Sequence, residues 1–285
     1  MVKVEWGRRI RRGVAVILIL SILLFCSMST IGGMLVDYDR LAQYETAMKV
    51  AQREGTSHLD HRIYVDMEQM PLYISDAFVA IEDHRYDLHP GVDLVGLGRA
   101  IWQDVRQGSL VQGGSTITMQ LARNLFLNQD KEFDRKLKEM AIAIYLEQSY
   151  TKEELLEMYL NTIYFGHGIY GIETAANFYF DKTVQLNHPT KETISLSEAA
   201  MLAALPKAPE HYSPIKDFAK AKQRQQVVLE RMEQLGYLTE EEKNAAIHTN
   251  INIPLAKGTV MKEPPSLFIA QQEQFRIQPI HSLTN

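Results

Sequence analysis

The sequence predicts an all-α protein, in which one membrane-spanning helix at the N-terminus precedes a helical domain. Three observations support this prediction. Residues 13–36 contain no charged side chain. Apolar residues recur at helical spacing through much of the region 71–250. At three places a serine or threonine stands three residues before a glutamate and ahead of an apolar run, the capping box that begins α-helices.

The uncharged run at residues 13–36 is long enough to cross a membrane. Its 24 residues would form a helix about 36 Å long, against a hydrocarbon core of ~30 Å. Residues 1–12 form a basic tail with only Glu5 opposing its cations, which predicts a cytoplasmic N-terminus and an outer location for the rest of the chain. The cations are Lys3, Arg8, Arg9, Arg11 and Arg12.

Two other interpretations of this run remain open. A cleaved signal peptide has an apolar core of only ~7–15 residues before a small-residue cleavage site, which is shorter than the run at 13–36. A buried core helix would not be apolar all round with a basic lead-in. We therefore expect a retained, single-pass anchor in the cell membrane.

The region that follows divides into three segments. Residues 37–70 are a polar juxtamembrane segment with weak periodicity, in which 62–67 could form a short strand. Residues 71–250 carry the helical signals and form the predicted main domain. Residues 251–285 are punctuated by proline and lose the pattern, which predicts a linker-like tail.

Within 71–250 the predicted helices follow in order. Ser75 is expected to cap a helix that ends at Glu82, and residues 92–107 form the next helix. Ser115 or Thr116 caps a helix that extends to Leu127. The remaining helices are predicted at 131–149, after the Thr151–Glu154 and Ser195–Glu198 capping boxes, at 217–235, and after the Thr239–Glu242 capping box.

Composition excludes some classes of function. The net charge of −5 offers no basic excess to neutralise a nucleic acid backbone. The single cysteine, Cys26, cannot form an intrachain disulfide. His84 and His89 are five residues apart, a spacing that fits no helical pair of metal ligands, so no protein metal site is predicted.

Two carboxylates stand in unusual surroundings. Glu139 follows Arg135 and Lys138, which we expect to share its helix face and to favour its charged form; an ordinary solvated salt-bridge face is the alternative. Glu82 and Asp83 lie where a helix gives way to a turn with His89-Pro90-Gly91, a position from which a carboxylate can project into a cleft. An ordinary helix end is the alternative there.

A glycine turn lies between these two acids. Residues 113–116 read Gly-Gly-Ser-Thr and lack the lysine of a nucleotide P-loop, but a helix N-terminus can still hold an anion. Gln120, Arg123 and Asn124 follow at i, i+3 and i+4, so one polar stripe could line a groove. A simple turn followed by a surface stripe is the alternative.

All of these segments together resemble one family, the peptidoglycan glycosyltransferases. Residues 82–91 are similar to its ED-x-x-F-x-x-H-x-G motif, with Tyr86 in the aromatic position. Residues 113–124 are similar to GGSTITQQ-L-x-KN, with Met119 for a glutamine and Arg123 for the lysine. Residues 135–139 match RK-x-x-E, while 152–166 and 171–180 resemble the fourth and fifth motifs in the same order.

The resemblance implies a lysozyme-like helical lobe with a small membrane-proximal lobe. It implies polymerisation of lipid II: the growing glycan leaves undecaprenyl diphosphate and joins the sugar 4-hydroxyl of an incoming lipid II, with inversion. Glu82 matches the general base. Glu139, the second catalytic glutamate, would hold cations that neutralise the diphosphate: Arg123, Lys131, Arg135 and Lys138. Asp83, Ser115, Gln120 and Asn124 complete the expected substrate-binding set.

The expected cofactor is at most a divalent cation, Mg²⁺ or Mn²⁺, with no organic cofactor. The expected partners are lipid II, the nascent glycan strand and membrane lipids, and they could include transpeptidases or proteins of the division or elongation machinery; nucleic acid is not expected. A lytic enzyme of lysozyme type and a non-catalytic anchored scaffold are the rival functions. Ser213 and Lys216 form S-x-x-K, but no KTG-type triad follows, so no transpeptidase is predicted in this chain. The sequence leaves open whether the chain is monofunctional or part of a longer bifunctional protein.

Overall fold

The computed structural model describes residues 2–59, 62–107, 114–127 and 132–254. It begins with one long helix, α1 (Val2–Leu35), whose segment Gly13–Leu35 is long and apolar enough to cross a membrane. The protein leaves most of this segment uncovered: Ile17, Leu20 and Leu24 are each about 60% exposed, as suits side chains that face lipid. The predicted N-terminal apolar helix is confirmed.

The described residues of the predicted juxtamembrane segment 37–70 form a helix and a hairpin whose buried side chains join the core of the helical domain. Asp37 caps helix α2 (Tyr38–Glu54) by accepting from the Arg40 amide, and Gly55 ends it with φ of 81°. The buried face of α2 is made largely of tyrosine, methionine and alanine, including Tyr44, Met48 and Ala51. Because few of these are strongly apolar, the helical period was hard to recognise in the sequence.

A short hairpin departs from the all-α prediction. Strands β1 (Thr56–Leu59) and β2 (Arg62–Val65) pair antiparallel, with Thr56 opposite Val65. The strand expected at 62–67 therefore ends two residues early, because Asp66 caps a 3₁₀ turn, Met67–Gln69.

The free edge of β2 is completed by side chains of a helix rather than by a third strand. The Val65 backbone N–H donates to Asn161 Oδ1, and Asn161 Nδ2 donates to the Val65 backbone carbonyl, both at 2.9 Å. The Met67 amide donates to Glu157 Oε2 at 3.0 Å. Asn161 is fully buried, so these backbone groups depend on it in place of water.

Nine further helices follow in the described ranges, and the predicted helical character of 71–250 is confirmed. They are α3 (Leu72–Glu82), α4 (Leu94–Gln107), α5 (Ile117–Phe126), α6 (Glu132–Ser149), α7 (Lys152–Thr162), α8 (Ile172–Phe180), α9 (Leu196–Ala203), α10 (Phe218–Gln234) and α11 (Glu240–His248).

The helix starts test the predicted caps one by one. All three capping boxes are present, and Thr116 rather than Ser115 caps α5. Ser75 is not a cap: α3 begins after Pro71, and the Ser75 hydroxyl donates to the Leu72 carbonyl inside the first turn. Helix α4 starts at Leu94 instead of residue 92. Of the predicted tail 251–285, residues 255–285 lie outside the described chain.

Two apolar clusters hold the helices together. The large one contains edge-to-face contacts of Phe78 with Tyr159 and Phe165 and also buries residues of α2 and β2. The small cluster joins three segments through four buried side chains: the loop that precedes α4, helix α5 and helix α6. Partly buried side chains of α1 pack against this cluster. Its buried members are Val92, Met119, Ala143 and Ile144.

Replacing Asn161 by alanine should destabilise the domain by about 2–4 kcal/mol, because two buried backbone groups of Val65 lose their partners and each unsatisfied group costs about 1–3 kcal/mol. Chemical denaturation of the detergent-solubilised chain measures the change. The control is Asn252→Ala at an exposed position, which should leave the midpoint unchanged. A loss below about 0.5 kcal/mol for Asn161→Ala would show that Asn161 does not support the strand edge.

Candidate active site

Glu82 is the last residue of α3, and its carboxylate is bound by the neighbouring helix α5. Gln120 Nε2 donates to Glu82 Oε2 at 2.8 Å. Burial raises the pKa of Glu82, while the Gln120 hydrogen bond and the charges of Arg224, Lys207 and Arg123 act in the opposite direction without reversing the shift. Glu82 is thus a carboxylate whose affinity for a proton is increased, as a general base requires.

Glu82 faces a cleft of about 230 Å³ between α3, α4 and the start of α5. His84 also lines this cleft, and its pKa is lowered by burial and by the charges of Arg231 and Arg99. Polar and charged side chains line the cleft together with apolar surface from Leu97 and Ala100. Besides Glu82 and His84 they include Asp83, Asp93, Arg99, Ser115 and Thr116.

Asp83 ties the loop after α3 to the start of α5. His89 Nε2 lies 3.0 and 3.1 Å from its two carboxylate oxygens, and the Ile117 amide donates to Oδ2 at 3.0 Å. Thr116 Oγ1 donates to the Gly91 carbonyl at 2.6 Å and reinforces the same junction. Asp83 therefore contributes to the cleft wall with both oxygens already hydrogen-bonded.

Gly91 is required at this junction. Its φ is +90°, and a Cβ there would lie 2.8 Å from the Ala143 carbonyl oxygen of α6. A larger residue would meet both a strained backbone conformation and a clash. The loop that follows Glu82 consequently packs directly on α6.

Glu139 is nearly inaccessible, at 1% exposure, and is surrounded by cations. Lys136 Nζ lies 2.9 Å from Oε2, Arg135 Nε lies 3.5 Å from Oε1, and Arg123 reaches Oε1 from α5 at 3.9 Å. Lys136 also donates to Ser115 Oγ. A buried carboxylate needs such partners to remain charged, and these three part-exposed cations form a positively charged wall, which we call the cation wall.

One lysine that contacts the Glu139 carboxylate, Lys136, was not in the predicted set. Lys136 is three residues before Glu139 and contacts its carboxylate, whereas Lys138 directly precedes Glu139 and points about 100° away around the helix. Lys138 is half-buried on another side of α6. Spacing along the helix could have identified Lys136, since i and i+3 share a face.

The Glu82 cleft and the cation wall are linked through α5 and Ser115, and we call this combined region the groove. Gln120 contacts Glu82, while Arg123, one turn later on α5, contacts Glu139. Ser115 provides a second link, because it lines the Glu82 cleft and accepts from Lys136. Asn124 is exposed on α5. Lys131, the remaining predicted cation, and Gly113 lie outside the described residues.

Further polar residues support the groove without having been predicted. Lys152, at the start of α7, donates to Glu147 and to the His89 carbonyl, both at 2.8 Å, and its ammonium lies 4.3 Å from the centre of the Tyr86 ring. Arg224 and Lys207 act on Glu82 from distant parts of the chain. No local pattern marks the last two, because they reach the site only through the tertiary fold.

The carboxylates of the groove do not form a metal site. Glu139 is already paired with three cations, and the oxygens of Asp83 are engaged by His89 and Ile117. Among the described residues, no group of three or more histidine, cysteine, aspartate or glutamate side chains is arranged to hold a metal ion.

Comparison with known proteins decides the family. The transglycosylase family model matches residues 48–233, which contain the groove and its supporting helices. The chain belongs to the transglycosylases, the peptidoglycan glycosyltransferase family. The resemblance found in the motifs is confirmed, and so are the helical fold class and the association with cell wall biosynthesis.

Its relatives are class A penicillin-binding proteins. The chain is 39% identical over 242 residues to penicillin-binding protein 1F of Bacillus subtilis, covering 84% of this chain and 33% of that protein. It is 44% identical over 199 residues to penicillin-binding protein 1A of Aquifex aeolicus, covering 70% and 26%, and 43% identical over 197 residues to the Escherichia coli 1A protein, covering 68% and 22%. The chain thus spans a third or less of the length of these relatives.

The raised pKa of Glu82 predicts that Glu82→Gln stabilises the protein at neutral and alkaline pH. Folding raises this pKa, so the folded state disfavours the charged form. The charged Glu82 carboxylate therefore destabilises the folded state. This loss of stability is complete at pH values above the pKa of Glu82 in the folded protein, and it disappears at pH values below the pKa of Glu82 in the unfolded chain. The glutamine variant should melt at a higher temperature near pH 8, and the difference should shrink toward about pH 4.

Thermal unfolding at a series of pH values measures this effect. Glu241→Gln, at an exposed position of α11, is the matched control and should not reproduce the pH-dependent difference. A Glu82→Gln protein that melts lower than the wild type near pH 8 would contradict the electrostatic description of the site.

Proposed function

We propose that the chain polymerises lipid II into glycan strands, with Glu82 as general base and the cation wall as the site of the leaving diphosphate. The proposal is carried by one observation: a carboxylate with a raised pKa and a buried, cation-bound carboxylate share one groove. The first suits deprotonation of an alcohol, and the second holds positive charge where a phosphate can meet it.

In this reaction the acceptor is a sugar hydroxyl, a poor nucleophile until its proton is removed. Glu82 takes the proton from the 4-hydroxyl of the incoming lipid II as O4 attacks C1 of the growing glycan. The bond from C1 to the diphosphate oxygen breaks on the opposite face, so the configuration at C1 inverts. The electron pair leaves with the undecaprenyl diphosphate, and the proton remains on Glu82 until it is released to solvent.

The leaving diphosphate needs charge stabilisation more than it needs a proton. Arg123, Arg135 and Lys136 are part-exposed, with side-chain exposures of 39%, 31% and 38%, so they can contact an anion in the groove while still paired with Glu139. Preorganised cations of this kind stabilise developing charge without reorganising during the reaction. Glu139 acts by holding them in place.

The membrane anchor suits a lipid-linked substrate, whose diphosphate lies at the bilayer surface. The basic residues ahead of the apolar segment Gly13–Leu35 support a cytoplasmic N-terminus and a groove on the outer face of the cell membrane. The nascent glycan strand and membrane lipids follow as partners, and transpeptidases or the division or elongation machinery are candidate protein partners.

A lytic enzyme of lysozyme type is the main rival. It would release a neutral sugar alcohol, which requires a proton donor rather than a group of cations; the cation wall therefore favours transfer from a diphosphate. A non-catalytic scaffold would have no use for a carboxylate with increased proton affinity. Incubation with purified lipid II separates the three: polymer indicates transfer, degraded wall without polymer indicates lysis, and neither indicates a scaffold.

Glu82→Gln should lower the rate of lipid II polymerisation at least about 100-fold, the loss expected when a general base is removed. The amide can still accept the Gln120 hydrogen bond, so the groove should keep its shape. Polymer formed by the full chain in vesicles measures the rate, with Glu241→Gln as a fully active control. Retention of more than about a third of the activity by Glu82→Gln would remove Glu82 from the mechanism.

Lys136→Gln should lower kcat/KM about 10- to 100-fold, because it removes one cation that both holds Glu139 and faces the diphosphate. Lys136→Arg keeps the charge and should recover part of the loss. Lys49→Gln, on the exposed face of α2, is the control. Activity of Lys136→Gln within about threefold of the wild type would show that the diphosphate is not stabilised at this cation.

A further inference from the structure

The membrane helix does not end freely above the domain; its C-terminal part packs on α6 with backbone contact. A Cβ on Gly32 would overlap the Ala141 carbonyl group, 2.6 Å from its carbon, and would lie 2.9 Å from the Tyr145 Cβ. Only glycine allows the two helices to approach this closely. Small residues serve the same purpose where helices pack within membranes.

Side chains on both sides of Gly32 extend this contact. One turn earlier, Ser29 Oγ donates to Gln148 Oε1 at 2.7 Å. Beyond the end of α1, the Tyr38 hydroxyl lies 3.1 Å from the Tyr145 hydroxyl. The interface therefore has apolar, hydrogen-bonded and backbone contacts, which together define one position of α1 on α6.

The contact reaches segments that lie next to residues of the groove. Phe25 and Met28 of α1 pack against the small apolar cluster that contains Val92 and Met119. Val92 directly follows Gly91 in the loop after Glu82, and Met119 directly precedes Gln120, which binds Glu82. On α6, Ala141 is two residues beyond Glu139. Met119 is buried at 1% exposure.

The residues of α1 that contact α6 belong to the apolar segment Gly13–Leu35. Contact with the domain begins at Phe25, and residues 13–24 cover only about 18 Å as a helix, short of the ~30 Å hydrocarbon core. The docked part of α1 must therefore complete the span while it holds α6.

We propose that Gly32 and Met119 are positioning residues, through which the membrane anchor fixes the catalytic helices α5 and α6. The anchor is then a structural part of the groove and not only a tether to the membrane. The inference rests on the proposed function, because glycan polymerisation is the rate that it predicts will change. A displacement of about 1 Å in a catalytic group can reduce a rate on the order of 100-fold.

A simple tether predicts a different outcome. An anchor that acts only as a tether would raise the local concentration of a lipid substrate. Disturbing the contact between the anchor and the domain would then raise KM at most, and kcat at saturating lipid II would not change. Positioning predicts a loss of kcat with little change in KM. The full chain in vesicles, with lipid II as substrate, separates the two.

Gly32→Leu should push α1 away from α6 and lower kcat at least about 10-fold, while KM changes less than about threefold. Gly13→Leu is the matched control: it places the same side chain on the same helix, where a Cβ meets nothing within 4 Å, and it should retain wild-type activity. Met119→Ala should also lower kcat, and the volume-conserving Met119→Leu should restore it. If Gly32→Leu does not fold, the two Met119 variants carry the test alone.

Cross-linking reports the docking without using activity. In a Cys26→Ser background, Ser29→Cys and Gln148→Cys should form a disulfide under mild oxidation, and adding Gly32→Leu should abolish it. The inference would be overturned if the cross-link were absent in the chain without Gly32→Leu. It would also be overturned if Gly32→Leu abolished the cross-link without lowering kcat. An inactive wild-type chain that still forms the cross-link would instead disprove the proposed function.

Discussion

The buried carboxylate of Glu139 is the interaction on which the groove depends. A charged group with 1% exposure is stable only when cations replace its lost hydration. Two helices supply them: Arg135 and Lys136 lie on its own helix, and Arg123 lies on α5. The ion pairs that allow Glu139 to be buried also fix three part-exposed cations on one wall. The burial of Glu139 therefore creates a site where an anion can bind.

Glu82 has the opposite environment. Its burial is compensated only in part, by one amide and by more distant cations, so the pKa stays raised. Two carboxylates in one groove thus have different roles because their surroundings differ. Direct ion pairs replace the hydration of Glu139, which holds the cations in place. Glu82 has few such partners and keeps the increased proton affinity that a general base needs.

Local signals predicted most of the helices and the two acids, and tertiary contacts account for what was missed. Capping boxes predicted the starts of α7, α9 and α11 because their hydrogen bonds lie within four consecutive residues. Helix α2 was missed because its buried face is rich in tyrosine and alanine. The hairpin edge could not be predicted, since its partner, Asn161, comes from a distant helix. Lys136 was recognisable from helical spacing, but Arg224 and Lys207 were not.

The structure also relates the groove to the membrane. Helix α1 contacts α6 two residues from Glu139 and the small apolar cluster next to Gln120. The chemistry and the anchor therefore share the same two helices, α5 and α6. This arrangement would give the groove a fixed height and orientation relative to a substrate whose diphosphate lies at the bilayer surface.

The pH dependence of kcat/KM for lipid II tests the central claim most directly, because it reports the ionisation of the free enzyme. A general base must be deprotonated, so the rate should fall as the pH drops through the pKa of Glu82. Burial raises this pKa, and we expect the midpoint of the acid limb to lie above the ordinary range of a glutamate. A midpoint within or below that range, or an acid limb that persists unchanged in Glu82→Gln, would contradict the assignment of Glu82 as the base.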